Sequence, residues 1–262
     1  MDLGLKDKIA IVTGASRGIG KAVSQELAAE GVHLVLCARG DEPLSEVARG
    51  IRANHRVDVL PIPTDLGTLD GIDIVVEQAV RRFFRIDILV NNAGAVRPGS
   101  ILTKPDRDWH AEWELKVFGY VRMARKVIPR MKETGGGRIV NIIGLAGEQP
   151  NADFIAGGGG NAALMNMTKA MADEGAPHNI LVNGINPGPT RTERHKDLME
   201  RLAREKGVTP AEAEGEWMTG NPMGRAANPE EISAVVAFLV SKRASYVNGV
   251  ILPVDGGGRR GF

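Results

Sequence analysis

Short apolar runs alternate with helix-patterned stretches along almost the whole chain, and this alternation restricts the fold more than any other feature. The runs are Ile9–Thr13, His33–Ala38, Asp58–Ile62, Ile86–Asn91, Arg138–Ile143, Leu181–Ile185 and Val250–Pro253. Each is short and largely apolar, as strands buried on both faces are. Helical periodicity fills the gaps over Lys21–Ala29, Pro43–Ala53, Leu69–Phe84, Asp106–Lys132, Asn161–Glu174 and Pro229–Val240. The alternation predicts an α/β fold, a doubly wound parallel sheet of about seven strands with helices on both faces and right-handed crossovers. No internal repeat or linker interrupts it, so residues 1–262 read as a single domain. At 262 residues, 43% of them hydrophobic, the chain can bury a core of that size.

The first strand leads straight into Thr13–Gly20, TGASRGIG, and a helical pattern follows. Strand, glycine turn and helix start is the context in which such a loop cradles phosphate. Gly14 suits the tight turn, Gly18 lets the backbone approach a phosphate, and Gly20 lets helix and strand pack closely. The helix N-terminus adds free N–H groups and partial positive charge. The segment Thr190–Gly220 departs from the alternation: it is charged, helix-prone and lacks a strand. It follows a strand end, where doubly wound sheets bind ligands, so it is expected to fold over a small-molecule substrate as a helical lid around residues 190–220.

Composition excludes several classes of function. A net charge of +1 provides no field to recruit nucleic acid or an anionic membrane surface. No apolar run is long enough to span a bilayer, and the charged start MDLGLKDKIA lacks the core of a signal peptide. Cys37 is the only cysteine, which suits a reducing, cytoplasmic setting. The histidines are scattered without zinc-ligand spacing, so no metal is expected. The terminal Arg259-Arg260-Gly261-Phe262 reads as an oligomer contact or a frayed end.

TGASRGIG, Asn91-Asn92-Ala93-Gly94 after the fourth strand and Asn186-Pro187-Gly188 after the sixth resemble the short-chain dehydrogenase/reductase family. The match continues through Pro222-Met223-Gly224-Arg225, Pro229-Glu230-Glu231-Ile232 and Val254-Asp255-Gly256-Gly257, so it covers nearly the whole chain. The resemblance implies a Rossmann fold, a nicotinamide cofactor, oxidoreductase activity on a small carbonyl or alcohol, and a homodimer or homotetramer built on Asp106–Lys132 and Asn161–Glu174. It assigns cofactor contacts to Gly14, Ser16, Arg17, Gly18, Ile19, Gly20, Asp65, Leu66, Asn92, Ala93, Gly94, Pro187, Gly188 and Thr192. An NAD site needs an acid at the end of the second strand to hold the ribose 2′-OH. Here Cys37-Ala38-Arg39 stands there, with Asp41 beyond Gly40. Arg39 and Arg17 suit a 2′-phosphate; the alternative is that Arg39 only stacks on the adenine while Arg17 faces solvent. The expected cofactor is NADP(H), with NAD(H) the weaker alternative.

The catalytic positions depart from the family pattern of Ser, Tyr-x-x-x-Lys and Asn. Ungapped spacing from Asn161-Ala162-Ala163-Leu164 to Ala176-Pro177-His178 places Asn161 in the Lys slot and Gly157 in the Tyr slot. Gly144 stands in the Ser slot and Lys116 in the Asn slot. Two readings follow. In one, the chain is a catalytically inactive NADP(H)-binding or interaction protein. The tract Gly157–Gly160 supports it, because glycine disfavours helix and would delay the helix start to Asn161, a fair N-cap. In the other, Lys116 and Asn161 have exchanged roles, and a lysine from the facing helix restores the ammonium near the nicotinamide ribose. Partial burial would lower its pKa, suiting a proton donor or oxyanion stabiliser. Gly144, Phe154 and Gly157 would then line the substrate pocket. Tyr120, Glu148 and Asp153 are weaker candidates for the proton donor.

Overall fold

A computed structural model describes residues 2–94 and 96–261. Seven strands form one parallel sheet: β1 (Ile9–Thr13), β2 (His33–Ala38), β3 (Val59–Pro63), β4 (Ile88–Asn91), β5 (Gly137–Ile142), β6 (Ile180–Pro187) and β7 (Ile251–Val254). Their order is β3-β2-β1-β4-β5-β6-β7, so the winding direction reverses between β1 and β4. Alternate residues of each strand feed opposite cores. Val12, Leu34, Leu36 and Val140 pack beneath one helical layer. Ile11, Val35, Leu89 and Ile139 pack beneath the other. This two-sided burial is why the strands read as continuous apolar runs rather than alternating ones.

The first layer holds α1 (Gly18–Ala29), α2 (Asp41–Asn54) and α9 (Pro229–Val240); the second holds α3 (Leu69–Phe83), α5 (Gly119–Glu133) and α6 (Ile155–Gly175). The boundaries have chemical causes. Thr68 caps α3 by accepting from Gly71 N. Asn228 and Glu231 form a reciprocal capping box on α9, braced by Arg225. Residues 190–220 fold as α7 (Glu193–Lys206), α8 (Pro210–Trp217) and a 3₁₀ turn, Met218–Gly220. Thr192 caps α7, and a Thr209–Glu212 capping box starts α8. The two helices meet at His195, whose ring lies 5.5 Å from that of Trp217.

Two helices differ from the sequence expectation. The stretch Asp106–Lys132 is not one uniform helix: α4 (Asp106–Trp113) passes through a π-helical turn, Glu114–Phe118, into α5. That turn carries Lys116. The glycine tract does not delay α6, which begins at Ile155, so Asn161 is a buried interior residue and not an N-cap. Glycine costs about 1 kcal/mol per position in isolation, but here packing decides. A methyl group on Gly160 would lie 3.1 Å from Val117 Cγ2 and 3.3 Å from Trp113 Nε1. Trp113 Nε1 donates to Ala156 O at 2.9 Å. The bare glycine face lets α6 approach α4 closely enough for that bond.

The C-terminal segment is anchored within the chain rather than frayed. Arg259 N donates to Asp255 Oδ2 at 2.7 Å, its guanidinium meets Glu148 at 2.6 Å, and Arg260 donates to Gly220 O. Phe262 lies outside the described residues.

Candidate active site

The chain leaves β1 through Gly14 (φ +65°) and Gly18 (φ +55°), left-handed conformations that glycine adopts without strain. Thr13 fastens the turn to β4: its hydroxyl accepts from Asn92 N at 2.8 Å and Ala93 N at 2.9 Å. Asn92 Nδ2 donates back to Thr13 O and Gly14 O. A methyl on Gly20 would lie 2.3 Å from Gly14 O, so only glycine lets α1 start against the turn. No side chain caps α1, leaving its first N–H groups available to an anion.

The turn opens onto a cleft of about 1110 Å³ at the carboxyl ends of β1, β2 and β4. This is the topological switch point, where such sheets bind ligands. Gly14, Ser16, Arg17, Gly18, Ile19, Arg39, Leu66, Asn92, Ala93, Gly94 and Thr192 line it. Along the cleft Arg17, Lys21, Arg39, Arg49 and Arg194 outnumber the two carboxylates, Glu46 and Glu193, and Arg39 and Arg49 stand at the β2 end. That end has the donor set for a phosphate, and the uncapped turn has the set for a second. The cleft therefore fits a dinucleotide bearing an extra phosphate on its ribose.

Gly20, Asp65, Pro187 and Gly188 are not among the residues that line the cleft. Gly20 is buried in the α1–β1 contact and does not line the cleft. The Asp65 carboxylate turns back to accept from Gly67 N at 2.9 Å, closing its own loop. Gly188 donates to Val254 O at 2.9 Å. It packs so tightly on Asp255 that a methyl there would lie 2.7 Å from Asp255 Cα. Pro187 ends β6 in register with Val254.

Beyond Gly94, a second group of residues converges on the peptide that follows β5. Lys116 Nζ donates to Ile143 O at 2.7 Å. Asn161 Nδ2 donates to the next carbonyl, Gly144 O, at 3.2 Å. The two side chains thus hold consecutive carbonyls. Gly144 N donates to Asn186 Oδ1, and Asn186 Nδ2 donates to Glu148. Gly144 has φ +133°, which excludes an ordinary side chain without strain. The Lys116 stem crosses Gly94 so closely that a methyl there would meet Lys116 Cδ at 3.0 Å. Burial, and then the charge of Arg194, lower the Lys116 pKa to about 8. Its ammonium can therefore release and regain a proton near neutral pH.

Phe154 occupies the space above Gly157. A Cβ at position 157 would lie 2.0 Å from Phe154 Cε1. The ring is held there by the backbone bridge between Gly99 and Phe154, with Gly99 N donating to Asp153 O at 2.7 Å. Tyr120 does not reach the cleft. It is fully buried, donates to Ile142 O at 2.9 Å, and burial pushes its phenol pKa up. Asp153 is exposed, and Glu148 is engaged by Asn186 and Arg259.

Sequence reasoning missed three residues. Arg194, on α7, lines the cleft and donates to Val96 O at 2.5 Å. Lys104 and Glu112 form a buried ion pair at 2.6 Å beside the Val96–Lys104 loop. All three sit in charged stretches whose pattern matches a solvated helix face, so local sequence carried no signal for them. Among the described residues no cluster of His, Cys, Asp or Glu can hold a metal ion. Nor is any helix among them long and apolar enough to cross a membrane.

The short chain dehydrogenase family pattern matches residues 8–203. The NADPH-dependent reductase BacG of Bacillus subtilis is 32% identical, over 97% of this chain and 98% of its own. The 3-oxoacyl-[acyl-carrier-protein] reductase FabG of Aquifex aeolicus is also 32% identical, over 98% of this chain and 99% of its own. The crystal structure of L-sorbose reductase from Gluconobacter frateurii, complexed with NADPH and L-sorbose, superposes with a TM-score of 0.97 at 37% identity and covers 100% of both chains. With the sheet order, the glycine turn and the switch-point cleft, these matches show that the chain belongs to the short-chain dehydrogenase family.

Proposed function

We propose that the protein is an NADP(H)-dependent oxidoreductase that transfers hydride to or from a small carbonyl or alcohol through a non-standard active site. The placement of Lys116 carries this reading: an ammonium of pKa about 8, bonded to Ile143 O beside Gly144 and Asn161. Arg17 and Arg39 would grip the 2′-phosphate, and the uncapped start of α1 the pyrophosphate. NADPH-dependence in BacG and an NADPH complex of L-sorbose reductase support the cofactor. When bound, the reduced nicotinamide supplies the hydride. Lys116 then donates the proton that the carbonyl oxygen takes up, a role the Tyr-x-x-x-Lys pair has in the family pattern. Asn161 fixes Gly144 and so the wall against which the carbonyl rests.

On this reading residues 1–262 form a single domain, and α7 and α8 close over the substrate as its lid. The protein assembles as a homodimer or homotetramer; Phe118, 44% exposed on the α4–α5 face, supports packing there. A reducing cytoplasm suits the lone buried Cys37. The hydrocarbon ring of Phe154 over Gly157, where the family pattern has a hydroxyl, favours the other reading, an inactive NADP(H)-binding protein. NADPH oxidation by the purified protein over a carbonyl panel separates the two. Turnover lost in Lys116→Met with NADPH affinity kept supports the proposal. Tight NADPH binding with no oxidation of any carbonyl supports the inactive reading.

A further inference from the structure

Two neighbouring cations, Arg194 lining the cleft and Lys116 just behind Gly94, have no carboxylate partner among the described residues. Lys116 donates to Ile143 O, and Arg194 donates to Val96 O. Both are clamped to one short stretch after β4, since the Lys116 stem lies on Gly94 and Arg194 is bonded two residues further along. The acid whose charge reaches Arg194 is Glu112, but that carboxylate is committed. Lys104 holds it at 2.6 Å, and Arg97 N donates to it at 2.9 Å. The ion pair is buried, and Lys104 Nζ also donates to Arg97 O. It pins the Val96–Arg97 backbone and with it the carbonyl that aims Arg194. Two positive charges are left uncompensated in a partly buried site, which is costly unless a ligand anion balances them. Arg97 is exposed at the rim of the same loop and adds positive field there.

We propose that this pair of cations reads a carboxylate on the substrate: the protein acts on an oxo acid, with Arg194 holding the carboxylate while Lys116 serves the carbonyl oxygen. The planar guanidinium fork matches a carboxylate, and the compact ammonium suits a single oxygen. A neutral polyol would leave both charges without a partner. The reaction balances simply. Hydride adds to the carbonyl carbon, the C=O π pair takes the proton of the Lys116 ammonium, the product is the hydroxy acid, and the lysine regains its proton from water. This inference rests on the reductase reading of the same site.

The test measures binding separately from turnover. Acetoacetate, levulinate and 2-oxobutyrate, each against its methyl ester, are titrated into protein saturated with NADP⁺, where no hydride is available. At least one acid should bind about tenfold or more tighter than its ester. Arg194→Leu, titrated at NADP⁺ concentrations that saturate the variant, should abolish that difference, and Arg194→Lys should retain part of it. Esters that bind as well as the acids throughout the panel overturn the proposal. So does an Arg194→Leu loss confined to NADP⁺, which assigns the guanidinium to the cofactor phosphates. Should Arg194→Leu fail to fold, the acid-to-ester ratio of the wild-type protein decides alone. NADPH oxidation with the same acids tests the reductase reading independently: acids that bind but never turn over sink that reading and leave the anion site standing.

Discussion

At the residue scale the site turns on what fills the space above Gly157. Phe154 occupies it, so placing a tyrosine there takes more than one substitution. Gly157→Tyr alone places its Cβ 2.0 Å from the Phe154 ring and should lower stability by about 1–3 kcal/mol, as overpacking does. The pair Gly157→Tyr with Phe154→Ala should recover most of that loss, read from urea midpoints. Lys116 gives a second prediction, from its sign. Its pKa is lowered from 10.5 to about 8 in the folded chain, so between those values the unfolded chain binds more protons. Its contribution to stability therefore rises as pH rises from about 8 towards 10.5 and levels off below about 8, where both states are protonated. The stability difference between wild type and Lys116→Met should follow that course; a flat difference would place Lys116 in solvent. The resemblance to the family pattern was enough to mark positions 116, 144, 157 and 161 as unusual. It could not show that Phe154 covers Gly157 or that Arg194 reaches Val96, because those contacts join loops far apart in sequence.

At the element scale the sheet was legible almost strand for strand, because strands buried on both faces leave continuous apolar runs. Helix α6 was not. Local propensity placed its start near Asn161, and the packing of its glycines against Trp113 and Val117 moved it to Ile155. The two effects can be separated. A methyl on Gly159 would sit 3.5 Å from Trp113 Cζ2, an ordinary contact, whereas one on Gly160 would crowd Val117 at 3.1 Å. Gly159→Ala should therefore stabilise the protein by up to about 1 kcal/mol through helix propensity. Gly160→Ala should give no such gain. Thermal melts of the two variants check the contrast, and equal gains would mean that α6 does not pack closely on α4. The π turn at Glu114–Phe118 had no sequence signal either. Such turns often mark functional sites, and this one carries Lys116 out of helical register toward Gly94.

At the scale of the whole molecule, the cleft runs from a cationic end at Arg17 and Arg39, across the switch point of the sheet, to Gly94 and Arg194, with Lys116 just behind Gly94. The glycine turn and the missing acid after β2 made the first end readable, since phosphate binding uses local backbone and nearby side chains. The second end is assembled from α4–α5, α6, α7 and the loop after β5, so only its oddities were visible in sequence. Arg39→Ala should weaken NADPH binding about tenfold or more and leave NADH binding nearly unchanged, because on the proposed placement of the cofactor it would remove a charge-assisted bond to the 2′-phosphate. Fluorescence titration with both cofactors checks this. The central claim is that Lys116 replaces the missing proton donor. Its most direct test is the pH dependence of NADPH oxidation on the best carbonyl of the panel, comparing wild type with Lys116→Met at saturating NADPH. If Lys116 is the proton donor, its protonated form is the active one in reduction, so the wild-type rate should fall as pH rises through about 8, while Lys116→Met should be slower by about 100-fold or more at pH 7 and lose that pH dependence. An unchanged rate and profile in Lys116→Met would contradict the account.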